Sequence, residues 1–322
     1  MKSQNNKKTT DYKSYHSFEK IKTATQLETY FDGRVAYMLP ENKVNSRSVL
    51  HHYTTAKIVD IILGNKAFWL SCPSRFNDGK DRDSFGKDDE LKRYYTLCLS
   101  AEQRESLPLW YLYSGIDGQG ARISLSKKDF KRAILKSKYF LYEREENSLN
   151  QEVCELIPGV NMTIKTRDIL YYRDIRNRDV AELKYNNKTL CSFSRDELKK
   201  YQSKYLGFFK KSIWNYEKEV RVLITLSNDL FNGLDKRKDY VVVMDFENAE
   251  IYNQLHIKLA PEIIDEDELF EWENIKNFTQ ITWNILQSDH IGEIEMKLCD
   301  KCEYKSDKIK CSDRVDKGAD KK

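Results

Sequence analysis

Two glutamates one residue apart, Glu217 and Glu219, stand with Arg221 in the run Trp214-Asn-Tyr-Glu-Lys-Glu-Val-Arg221. The run passes directly into Val222-Leu-Ile-Thr-Leu226, whose β-branched and apolar residues predict a strand. Strand side chains alternate faces. Glu217, Glu219 and Arg221 are therefore expected on one face, with Val220, Val222 and Ile224 on the other. Two like charges roughly 7 Å apart along a strand repel unless something uses them. Such a pair suits a reaction that builds positive charge on a sugar carbon. One carboxylate steadies the cation as it develops, and the other orients or deprotonates the attacking group. A structural account stands beside this one: a solvated strand face with a cross-strand ion pair from Arg221.

Other groups must come to those acids for chemistry to follow. His52, in Leu50-His-His-Tyr53, shares a strand face with Leu50. It is read either as a ligand or as a buried, hydrogen-bonded core histidine. Trp110 and Trp214 read as core residues rather than stacking platforms.

The elements that carry these residues follow from pattern. Ser48–Tyr53 reads as a strand and Thr54–Gly64 as a helix capped by Thr and stopped by Gly. Strands are expected at Ala67–Ser71, Tyr94–Ser100, Ala121–Leu125, Ile169–Arg173 and Tyr240–Met244. Pro73 to Lys87 reads as a polar loop, with Asn77-Asp78 as a turn. Helices are expected at Ser106–Gly115 and over 127–137. Another starts at the capping box Ser194-Arg-Asp-Glu197 and runs to about Lys211. An acidic helix over about 265–287 carries an apolar stripe that includes Leu269, Trp272, Ile275 and Phe278.

The chain is read as a polar arm over 1–45, a single α+β domain over 46–300 with a helical insertion around 127–212, and a disordered charged tail over 301–322. With 55 basic and 51 acidic residues among 322, the net charge of +4 does not mark a general nucleic-acid binder. No apolar run reaches the ~20 residues that span a bilayer. The polar N-terminus and the odd count of seven cysteines lead to the expectation of a cytoplasmic protein with reduced thiols and no membrane partner. Cys299, Cys302 and Cys311 supply three ligands where structural zinc takes four, so no metal is expected.

Several of these motifs fall in a familiar order. Leu50-His-His-Tyr-Thr-Thr55, Phe68-Trp-Leu-Ser71, Phe76-Asn-Asp78, Cys98-Leu-Ser100, Leu109-Trp-Tyr-Leu-Tyr113 with Gly120, and Trp214 to Arg221 resemble domain-of-unknown-function family 2971 over roughly residues 48–260. Gly79 stands where that family usually has Pro, and Asp81 or a neighbour takes the place of the acid that follows. More distantly, the order is similar to that of ADP-ribosyltransferases, which place His or Arg on a first strand, Ser or Tyr on a second and Glu on a late one. That resemblance implies a split, mostly antiparallel sheet flanked by helices, and NAD as substrate. The acceptor would be a protein or nucleic acid, or water in NAD hydrolysis. It also implies Glu219 as catalytic acid on the ribose 2′-OH, Glu217 on the acceptor, and His52, Tyr53, Trp69, Ser71 and Arg221 around the dinucleotide. A bacterial toxin or phage-defence effector would be a fitting context. The alternative is a non-enzymatic module that binds a nucleotide or a protein.

Overall fold

A computed structural model describes residues 49–76, 78–102, 106–113, 120–145, 148–175, 179–185, 188–260, 273–278, 281–282, 302–305 and 308–311. The expected N-terminal arm lies outside these residues, as does Asn77.

The described strands in chain order are β1 (Val49–Thr55), β2 (Ala67–Leu70), β3 (Tyr94–Ser100), β4 (Gly120–Ser126), β5 (Lys138–Glu145), β6 (Ser148–Leu156), β7 (Met162–Asp168) and β8 (Leu170–Asp174). They continue with β9 (Val180–Tyr185), β10 (Lys188–Ser194), β11 (Phe209–Lys211), β12 (Glu219–Leu226), β13 (Asp239–Asp245), β14 (His256–Leu259), β15 (Ile281–Thr282), β16 (Cys302–Lys305) and β17 (Lys308–Cys311). The fold is mixed α+β, with several mainly antiparallel sheets and short helices between them.

A seven-stranded sheet runs β15-β14-β4-β1-β3-β12-β7. Its inner strands are buried on both faces, which is why Val222-Leu-Ile and Tyr94–Ser100 read as near-continuous apolar runs. A four-stranded sheet runs β2-β13-β5-β6. Ser71 and Thr96 join the two by a pair of backbone hydrogen bonds, 3.0 and 2.9 Å. A third sheet, β10-β9-β8-β11, sets β11 parallel to β8.

Helix Ala56–Asn65 packs Ala56, Val59, Ile62 and Leu63 into the core, with the Thr55 hydroxyl accepting from the Ile58 N–H. Its stop is Lys66 in the left-handed region rather than Gly64. Gly64 instead lies against Asn274 of helix Glu273–Asn277, whose Asn274 and Ile275 both donate to Asp60.

Several expectations change. Among the described residues of the insertion around 127–212, helix forms at Lys127–Lys136 and Arg195–Lys204, and six strands, β5 to β10, lie between. Met162-Thr-Ile-Lys-Thr shows the reason: its side chains alternate buried and exposed, the period-2 pattern of a strand. The capping box at Ser194 and Glu197 forms as expected, but its helix ends at Lys204. Over 265–287, the described residues give helix Glu273–Asn277 and strand β15; the rest of that expected helix lies outside them. Within the expected disordered tail, β16 and β17 pair as a hairpin with Cys302 opposite Cys311, and Cys299 lies outside the described residues.

Candidate functional site

The carboxylate run does not begin as a strand. Ser212–Glu217 forms a 3₁₀ turn, Lys218 takes a left-handed conformation (φ 42°), and β12 opens at Glu219. That turn brings both carboxylates to one cavity of about 290 Å³. β1 supplies His51, His52 and Tyr53 to its lining, and β3 supplies Cys98 and Ser100. Helix Leu107–Tyr113 adds Tyr113, the 73–83 segment adds Arg75, Phe76, Asp78 and Asp81, and β11 adds Lys210.

The acids are not a solvated face. Asp81, Lys210, Glu217, Glu219 and Arg221 are each at most 7 % exposed, and they form one connected ion network. Lys210 Nζ donates to Glu217 Oε2 at 2.7 Å and to Glu219 Oε2 at 3.3 Å, and lies 3.7 Å from Asp81. Arg221 Nε donates to Glu219 Oε1 at 2.6 Å, and its two Nη groups grip Asp81 at 3.1 and 2.7 Å. A further Arg221 bond, 2.8 Å, reaches the carbonyl of Gly207. The guanidinium lies over Phe76 and Phe85, 5.1 and 5.8 Å from their ring centres. Arg221 therefore neutralises Glu219 and Asp81 and is committed to the wall.

Gly207 makes that last contact possible. Its φ is +75°, and a Cβ there would stand 2.3 Å from Phe85 Cζ. Gly207→Ala is expected to lose ~1–3 kcal/mol from backbone strain alone, with the clash added. Denaturant unfolding measures it; an unchanged midpoint would remove Gly207 from this account.

Three carboxylates face two cations, so the protons cannot be distributed evenly. Burial and the neighbouring Glu219 charge push the Glu217 carboxyl from 4.5 up to about 7, against the pull of Lys210 and Tyr113. Burial would also raise Glu219, but Arg221 and Lys210 outweigh it and hold that carboxyl down at about 2. Burial works against the Lys210 charge, yet Glu219, Glu217 and Asp81 raise its pKa above the ordinary value. Burial and Glu219 push the Cys98 thiol well up, so it keeps its proton. Tyr113 donates to Glu217 Oε1 at 3.0 Å. Burial lowers the His52 pKa against its bond to the backbone of Cys98. Its Nδ1 sits 3.0 Å from that carbonyl, which must accept, so Nδ1 carries the proton and Nε2 is left as an acceptor.

Of the residues selected from sequence, Glu217, Glu219, His52, Tyr53 and Arg221 line this cavity. Trp69 and Ser71 do not. Trp69 packs with Ala67, Val241 and Val243 on the other sheet, and Ser71 makes the bridge to Thr96. Tyr53 meets Trp110 edge-on at 5.0 Å, while Trp214 lies on the lining with Lys210 5.0 Å from its ring centre.

Residues 109–222 match the model of a family described as protein of unknown function, DUF2971. This agrees with the order of motifs. The DUF2971 region contributes Tyr113, Lys210, Trp214, Glu217, Glu219 and Arg221 to the cavity; β1 and the 73–83 segment lie outside it. Comparison with curated proteins finds no match, and comparison with solved structures finds none. Lys210, Asp81, Tyr113, Phe76 and Trp214 are among the lining residues that sequence reasoning did not select for the site. Among the described residues, no group of three or more His, Cys, Asp or Glu is arranged to hold a metal, and no helix is long and apolar enough to cross a membrane.

Proposed function

We propose that this cavity transfers ADP-ribose from NAD to a macromolecular acceptor, or to water. The observation that carries the reading is a pair of buried carboxylates, on the wall of one cavity, whose pKa values are driven apart to about 7 and about 2. Divergent environments of this kind assign one acid to proton transfer and the other to fixed charge.

In this reading the bond between ribose C1′ and the nicotinamide nitrogen breaks, and its electron pair leaves on nicotinamide. Glu219 stays ionised and stabilises the oxocarbenium-like carbon. The acceptor oxygen bonds to C1′, and its proton passes to the ionised form of Glu217, whose pKa near the working pH suits a general base. His52 Nε2 accepts from a ribose hydroxyl or the carboxamide. Phe76, Tyr113 and Trp214 form the ring-lined wall. At about 290 Å³ the cavity falls just below the range of whole small-molecule pockets (~300–1,000 Å³), a size for the reacting end of the dinucleotide. The bridge at Ser71 and Thr96 between the seven-stranded sheet and the β2-β13-β5-β6 sheet is in keeping with an ADP-ribosyltransferase-like split sheet. A toxin or phage-defence effector would use such an activity.

One observation favours a binding module instead: both Glu219 oxygens already accept from cations. Incubating the purified chain with labelled NAD and a cell lysate separates the two. Transfer predicts free nicotinamide and label on an acceptor or as free ADP-ribose. A module without turnover leaves NAD intact.

A further inference from the structure

Glu217 borders the cavity yet has almost no surface of its own. Its side chain is 4 % exposed, and a donor already sits on each oxygen: Tyr113 Oη at 3.0 Å from Oε1 and Lys210 Nζ at 2.7 Å from Oε2. The backbone holds it there. The Glu217 carbonyl accepts from the Ser100 hydroxyl at 2.7 Å, the Lys218 N–H donates to the Asn215 carbonyl at 3.3 Å, and the Lys218 carbonyl accepts from the Ala101 N–H at 2.9 Å. A proton leaving a molecule in the cavity therefore has its open route to Glu217 through a neighbour.

Lys210 is the wrong neighbour. It is buried, and Glu219, Glu217 and Asp81 raise its pKa and keep its ammonium charged, so it has no lone pair to accept with. Tyr113 is half-buried, lines the cavity and ends helix Leu107–Tyr113. That helix is anchored by Leu109 and Trp110, which bury against Tyr53 and Ala260, with Tyr113 and Tyr216 packed at the edge of the cluster. The Tyr113 O–H is spent on Glu217, which leaves the phenol oxygen free to accept from the cavity side.

We propose that Tyr113 is the catalytic residue that meets the acceptor and relays its proton to Glu217. The acceptor O–H donates to Tyr113 Oη. The acceptor oxygen bonds to ribose C1′ while the electron pair of the broken bond leaves on nicotinamide. The acceptor proton moves to Tyr113 Oη, and the tyrosine's own proton moves to Glu217 Oε1. Tyr113 ends neutral, as it began, and Glu217 ends protonated. Burial and the Glu217 and Glu219 charges push the Tyr113 pKa up, so phenolate does not accumulate and the two transfers run together. The relay rests on the transfer reading and adds to it the group that touches the acceptor.

Tyr113→Phe in the full chain tests it on two axes. Nicotinamide release should fall by about 100-fold, the low end for a proton-transfer group, with little change in KM for NAD. The Glu217 titration should move up from about 7, because the Tyr113 bond holds it down. The pH at which release rises should move with it. The other groups that bear on this pair are Lys210 on β11, Glu219 on β12, Cys98 on β3, Tyr171 on β8 and Tyr216 in the 3₁₀ turn, and Tyr113→Phe alters none of them. Carboxyl NMR of isotopically labelled glutamate follows the titration without any need for turnover, with Glu217 assigned by the signal missing in Glu217→Gln. An unmoved Glu217 midpoint overturns the bond on which the relay depends. A midpoint that moves while release equals that of the wild type means that the acceptor reaches Glu217 directly; it overturns the relay and leaves the transfer reading in place. A wild type that leaves NAD intact ends the transfer reading and the relay with it.

Discussion

Arg221→Met will destabilise this protein by about 3–5 kcal/mol, the cost of removing one partner from a buried ion network. Arg221 is 1 % exposed and makes four hydrogen bonds, one to Glu219, two to Asp81 and one to the Gly207 carbonyl. Methionine fills much of the space between Phe76 and Phe85 but leaves Asp81 and Glu219 buried with Lys210 as their remaining cation. Arg221→Lys should recover only part of the loss, because an ammonium cannot reproduce the bidentate fork on Asp81. The sign of the pH effect follows. In the wild type the depressed Glu219 pKa of about 2 adds stability above pH 4.5 that is lost as pH falls towards 2. Without Arg221 that contribution shrinks, so wild type and variant should converge on acidification. Urea unfolding at pH 7 and at about pH 2.5, between the two Glu219 pKa values, measures both effects. A loss under about 1 kcal/mol, the range of an exposed pair, would mean the network does not hold the wall together.

The acids could be selected from sequence because a Glu-x-Glu run entering an apolar strand is conspicuous, whereas their partners could not. Lys210 sits in Phe208-Phe-Lys-Lys211, and Asp81 in the polar stretch Asp78-Gly-Lys-Asp-Arg-Asp83. Both look like surface charges. Lys210 is buried because β11 pairs parallel to β8, and Asp81 because Asp78 caps a short helix that turns it onto Arg221. These are long-range events with no local periodicity to announce them. Strand alternation and helix caps did mark β1, β3, β4, β12, β13 and the helices after Thr55 and Ser194. Trp69 and Ser71 were drawn towards the acids by order along the chain, yet β2 pairs with β13 in the other sheet. One departure left the selection intact. The 3₁₀ turn and left-handed Lys218 replace a continuous strand, and still deliver both carboxylates to one cavity.

Glu217→Gln should cut nicotinamide release by ~100-fold or more, within the range of a general base, and should abolish its rise with pH. On the transfer reading, wild-type activity should climb as Glu217 loses its proton around pH 7. Glutamine keeps the shape and can still meet Tyr113 and Lys210, but it has no proton to exchange. Stability should move the other way. The folded pKa of Glu217 lies above its ordinary 4.5, so its contribution is fully present below pH 4.5 and is lost as pH rises to about 7. Glutamine lacks that titration, so the variant should gain on the wild type between pH 5 and pH 8. Glu219→Gln gives the contrast. It should lose ~100–1,000-fold in turnover, as for a preorganised electrostatic group. It should also lose stability, because Arg221 and Lys210 each give up a buried anionic partner. Nicotinamide release from pH 5.5 to 8.5, with thermal melts of all three proteins, reads both axes together. A Glu217→Gln enzyme that keeps the wild-type pH profile would take the proton-transfer role away from Glu217. A wild type that leaves NAD intact beside a full lysate would end the transfer reading.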